Sequence, residues 1–178
     1  MVKTRQLALT ANLAAIPVAL RIIKHNIVGA IPIINFPVAF ALISGALLGP
    51  LNGFIVGLLS FLVSDIFLGL GYWTIFTSLT CGIIGLIGGL MWRGRNPCRL
   101  ELLAVTLMLT FTYDILTSIL LYAIFMPLQE AVITGLIGLF LPAMGGTLYA
   151  MGPIVEVSTA ILVSILLPKV RGVKINEG

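Results

Sequence analysis

Apolar runs of membrane-spanning length follow one another along nearly the whole chain, from LALTANLAAIPVALRII near the start to LYAMGPIVEVSTAILVSILL near the end. Each is close to the roughly 20 residues that a helix needs to cross a bilayer. With 60% hydrophobic and 9% charged residues and a mean hydropathy of +1.18, 178 residues cannot hide their apolar side chains inside one water-soluble core. The runs predict an all-α membrane protein, a single integral domain over 1–178 built as a bundle of six transmembrane helices. The spans are expected near residues 6–23, 32–48, 53–70, 73–92, 102–126 and 148–167.

Charge sets the expected orientation. Lys3, Arg5, Arg93, Arg95, Arg99, Lys169, Arg171 and Lys174 fall on one side of this arrangement, against Arg21 and Lys24 on the other. The positive-inside rule then predicts that both termini of a multi-pass membrane protein are cytoplasmic. MVKTRQ before an apolar run has the outline of a secretory leader, but no clear small-residue cleavage site follows and the segment reads as the first span. AVITGLIGLFLPAM, within the connection at about 127–147, is too short for a comfortable crossing. It is expected to be an interfacial or re-entrant helix, in a position to serve as a lid.

Small residues recur at every fourth position in three places. Gly45, Gly49, Gly53 and Gly57 bracket a tight turn at Gly49-Pro50-Leu51-Asn52-Gly53, where spans two and three are expected to approach closely. Gly82, Gly85, Gly88 and Gly89 predict the same closeness in span four. Ala11, Ala15 and Ala19 make one face of the first span smooth, suited to a flat helix of this chain or another. Pro17 falls inside that stretch, where a proline bends a helix.

The Ala-x-x-x-Ala pattern near the N-terminus, followed by FPVAFALISGALLGPLNGFIVGLLSFLVSDIFLGLGYWT, resembles the substrate-binding subunit, or S component, of energy-coupling factor (ECF) vitamin transporters. The similarity covers most of the chain and is strongest over residues 8–19 and 36–92. It implies a subunit that captures a vitamin or vitamin precursor from outside. The subunit would then dock on a transmembrane coupling subunit driven by two ATPase subunits. It also implies that Ala11, Ala15 and Ala19 form the docking surface.

Ionisable residues at membrane depth are costly and tend to face a cavity or a partner. Asp114 falls near the middle of span five and Glu156 near the middle of span six. Thr106, Thr110, Asp114 and Thr117 share one side of their helix, and Thr159 follows Glu156 by three residues. Two such stripes facing each other would outline a pocket in which Asp114 and Glu156 accept hydrogen bonds from a ligand or offset a ligand cation, with Thr117 beside them. The alternative is that the acids are protonated, bond to nearby threonines, or pair with Arg21 or Lys24. Asp65, in SDIFLG, has a packing or helix-terminal role or a ligand contact open to it. Tyr72, Trp73 and Tyr149 fall where an interfacial aromatic belt is expected, and their rings also suit stacking on a flat heterocycle. Asn35, before Phe36-Pro37, is a polar candidate in the first outer loop.

The chain has no G-x-x-x-x-G-K-[ST] phosphate loop, so P-loop ATP hydrolysis must come from partner subunits. Its one histidine, His25, and its cysteines, Cys81 and Cys98, match neither a zinc-protease motif nor a metal cage. No catalytic residue, metal site or cofactor is expected, nor any nucleic-acid partner. The competing reading is a stand-alone proton-coupled carrier or channel in which Asp114 and Glu156 relay protons. Two acids among aromatics suit a nitrogen-rich ring such as an aminopyrimidine or pterin, and cobalamin-sized cargo stays open.

Overall fold

The computed structural model describes residues 4–29, 33–138 and 152–175. The described residues form seven helices: α1 (Thr4–Val28), α2 (Phe36–Leu48), α3 (Pro50–Leu68), α4 (Tyr72–Trp92), α5 (Arg99–Tyr122), α6 (Leu128–Gly138) and α7 (Gly152–Ile175). Five of them, α1, α3, α4, α5 and α7, are long and apolar enough to cross a bilayer. The all-helical expectation therefore holds, and five of the six expected spans have a helix of spanning length.

The expected span at 32–48 is where the reading departs. Its helix, α2, has 13 residues, which at 1.5 Å per residue gives about 20 Å, short of the roughly 30 Å hydrocarbon core. Asn35 starts it late: its side-chain oxygen accepts from Val38 N at 3.2 Å, and Pro37 occupies the first turn, where its missing N–H costs nothing. Ten of the 13 residues are buried. A helix apolar on all sides belongs in a core, and α2 packs on α1, α3, α4 and α7.

A single residue joins α2 to α3. Gly49 ends one helix and caps the next with φ +112°, a conformation that side chains with a Cβ rarely adopt, and Pro50 opens α3. The turn is thus tighter than the five-residue turn expected. Asn52 lies in the first turn of α3, where its Nδ2 donates to Leu48 O at 2.9 Å and its Oδ1 accepts from Thr10 Oγ1 at 3.0 Å. It satisfies a terminal carbonyl of α2 and binds α1 in one step.

The glycine series lets α2 and α3 meet, and it also mates with α4. A Cβ on Gly53 would lie 2.7 Å from Gly45 Cα, and one on Gly57 would lie 2.6 Å from Cys81 O. A Cβ on Gly89 would reach Pro50 Cα at 2.5 Å, and Gly85 meets the backbone of Gly53. The two ladders interlock backbone to backbone, so α2, α3 and α4 form one tight group. α5 packs on α6 and α7, and α7 also touches α2.

Both ends of the bundle have their own tie. At the end holding the N-terminus of α1 and the C-terminus of α7, Arg171 donates to Trp92 O at 2.7 Å, to Ala46 O at 3.2 Å and to Arg95 O. At the opposite end Ser158 Oγ donates to Val155 O at 3.0 Å and also bonds Ile33 O, while Asn35 N donates to Thr159 Oγ1 at 2.9 Å. Arg21 and Lys24, expected on the outer side, lie within the last turns of α1, which continues past the expected end of the span at residue 23. The expected interfacial segment contributes α6, 11 residues packed on α5 with Gly135 against Ile119; its remainder, 139–147, lies outside the described residues.

Candidate functional site

Near the Tyr72 end of the bundle, α4 and α5 part to leave a cleft of about 110 Å³. Trp73, Phe76 and Thr77 of α4 line one wall, and Thr117, Ser118 and Leu121 of α5 the other. Each trio follows the helical i, i+3, i+4 or i, i+1, i+4 spacing that brings side chains to one face. Pockets for small molecules commonly enclose about 300–1,000 Å³, so the cleft in this geometry admits the edge of a ring rather than a whole vitamin.

The polar stripes expected on the fifth and last spans turn inward. Thr106, Thr110 and Thr117 are buried on α5, as are Glu156 and Thr159 on α7. The Asp114 and Glu156 carboxyls lie within each other's electrostatic reach. Glu156 is 0% exposed, and among the described residues neither of its oxygens has a hydrogen-bond partner within bonding distance.

Apart from Thr106, whose buried hydroxyl has no hydrogen-bond partner among the described residues, the threonines and Arg21 weighed as partners for these acids are occupied elsewhere. A threonine hydroxyl has one proton to give, and here it goes to the helix backbone. Thr110 Oγ1 donates to Thr106 O at 3.0 Å, Thr117 Oγ1 to Tyr113 O at 2.9 Å and Thr159 Oγ1 to Val155 O at 2.6 Å. Arg21 pairs with Asp65. The packing role left open for Asp65 is the one it fills, since its second oxygen accepts from Thr74 Oγ1 at 2.7 Å.

The other candidates separate. Trp73 and Thr117 line the cleft. Tyr72 is 65% exposed and meets Phe125 edge to face, with ring centroids 6.5 Å apart, away from the cleft lining. Asn35 caps α2 with its side-chain oxygen. Tyr149 lies outside the described residues. Phe76, Thr77, Ser118 and Leu121 were not foreseen; helical spacing from Trp73 and Thr117 points to all four.

On α1, Ala11, Ala15 and Ala19 are exposed, while Thr10, Ala14 and Pro17 are buried against the bundle. Pro17 therefore sits on the face opposite the stripe, and α1 is a single helix through it.

Ring faces beside hydroxyls and buried acceptors suit a membrane protein that holds a flat polar solute. The family described as ECF-type riboflavin transporter, S component, matches residues 1–171, and the chain belongs to it. It is the substrate-binding subunit of an ECF transporter, a multi-pass membrane protein whose role is binding rather than catalysis. No curated protein and no solved structure matches the chain.

Proposed function

We propose that the protein captures riboflavin from outside a prokaryotic cell and delivers it to a membrane-embedded coupling subunit powered by two ATPase subunits. The observation that carries this reading is the match to the riboflavin transporter family over residues 1–171. In this reading the chain crosses the membrane six times with both termini cytoplasmic, α2 making its short crossing inside a sheath of neighbouring helices. The cleft between α4 and α5 then opens outward.

Riboflavin joins a flat three-ring system with an N–H donor to a chain of hydroxyl groups. Trp73 and Phe76 offer faces for stacking the ring. Thr77, Thr117 and Ser118 offer hydroxyls, and Asp114 and Glu156 offer acceptors deeper between α5 and α7. A cleft of about 110 Å³ has to widen to take the whole ring. The walls part at the Tyr72 end, where the cleft lies, while Arg171 at the opposite end holds α7 to the carbonyls of Ala46 and Trp92. Ala11, Ala15 and Ala19, smooth and exposed on α1, form the face that docks on the coupling subunit.

The test is a titration of the purified, detergent-solubilised protein with riboflavin, followed by flavin fluorescence. One-to-one quenching that saturates, with no competition from thiamine or biotin, is the expected result. Equal competition by an unrelated vitamin, or no quenching, contradicts the assignment.

A further inference from the structure

Arg21 lies two residues beyond Ala19, yet its guanidinium turns away from the alanine face and into the bundle. It bonds Ser64 Oγ and Asp65 Oδ1, and its charge sits 4.6 Å from the centre of the Phe61 ring. Two chains of contact leave from this point. Asp65 Oδ2 accepts from Thr74 Oγ1 at 2.7 Å, and the same hydroxyl receives Gly71 N at 3.3 Å in the first turn of α4. Thr74 is the neighbour of Trp73 and precedes Thr77 by three residues, both in the cleft wall.

The second chain runs to the other wall. Phe61 stacks on Tyr113 of α5, with ring centroids 5.9 Å apart and planes 20° from parallel. The Tyr113 carbonyl accepts from Thr117 Oγ1, which lines the cleft, and the next residue is Asp114. One cation on α1 is thus joined through two contacts to each side of the cleft. Asp65, at 1% side-chain exposure, has no water to replace that partner.

We propose that Arg21 is a positioning residue for the vitamin site, holding the α4 wall through Asp65 and Thr74 and the α5 wall through Phe61 and Tyr113. The spacing of the walls is thereby set by a side chain of the same helix that presents the alanine face. This rests on the assignment of the cleft to riboflavin. A lysine cannot replace it fully, because its point charge lacks the planar fork that meets Ser64, Asp65 and the Phe61 face together.

The decisive variant is Arg21→Met combined with Asp65→Leu, which removes both buried charges while keeping the volume and so preserves the fold. It is expected to unfold near the wild-type temperature while its Kd for riboflavin rises at least about tenfold, because the preorganised cleft is lost. Arg21→Lys is expected to fall between the two. A folded double variant with wild-type Kd overturns the proposal. If the double variant does not fold, Thr74→Val decides: it removes one hydrogen bond, and a Kd raised about threefold supports the proposal while an unchanged Kd overturns it. If the wild-type protein binds no riboflavin, the vitamin assignment fails by itself. Trp73 emission, read without ligand in a Trp92→Phe background, then decides on positioning: a shift on Thr74→Val supports it and an unchanged spectrum overturns it.

Discussion

Position 156 holds a carboxyl that the bundle surrounds completely and leaves without a hydrogen-bond partner among the described residues. Burying such a group costs several kcal/mol unless something pairs with it, and Thr110, Thr117 and Thr159 have given their protons to backbone carbonyls. The proposed use is to accept from a ligand donor, a role that separates binding from stability. Glu156→Gln is expected to leave the unliganded protein as stable as wild type or more so, because a neutral amide of the same shape replaces the buried ionisable carboxyl. The same change is expected to weaken riboflavin binding by about tenfold or more, the worth of a hydrogen bond to a charged acceptor. Thermal unfolding and flavin titration of the one variant read both, and unchanged affinity would show that Glu156 does not touch the vitamin. The acids were legible in the sequence because a charge in an apolar run stands out and helical spacing gives its face. Phe76 and Leu121 were not singled out, since an apolar residue in an apolar helix has no contrast of its own and only its spacing from Trp73 or Thr117 places it on the cleft face. The Arg21–Asp65 pair was missed for a different reason: partners 44 residues apart meet only through the crossing of α1 on α3.

Helices in lipid gain little from apolar contact alone, so close backbone approach is what α2, α3 and α4 use to hold together. The spacing of Gly45, Gly53 and Gly57 announced that approach, but spacing names no partner, and α4 is revealed only by the fold. Gly57→Val is therefore expected to destabilise the protein by roughly 1–3 kcal/mol through forced separation of α3 from α4. A lowered unfolding temperature in detergent checks this, and an unchanged one would show that the helices part freely. On α1 the same kind of residue has the opposite situation, since Ala15 is exposed. Ala15→Trp is expected to leave unfolding temperature and riboflavin affinity alone while cutting uptake in cells at least about tenfold, as a bulky intrusion at an interface centre does. Loss of binding and uptake together would place Ala15 in the vitamin site instead. The shortness of α2 was the least legible element, because an apolar run shows where a helix can exist and a cap such as Asn35 decides where it starts.

Across the whole molecule the helices fall into two packed groups. The glycine ladders bind α4 to α2 and α3, so one wall of the cleft belongs to the group that α1 rests on. The other wall, α5, stands with α6 and α7. A cleft between two packed groups, tied at one end by Arg171, is a seat that can open without either group coming apart. Nothing in such a seat supplies energy, and the chain has no phosphate-binding loop of its own. The central claim is that this subunit binds and its partners drive. Riboflavin uptake into proteoliposomes, with and without the coupling module and ATP, tests it most directly. The protein alone is predicted to retain riboflavin only in proportion to the protein present, with accumulation against a gradient appearing only with the module and ATP; concentrative uptake by the protein alone on an ion gradient would contradict the account.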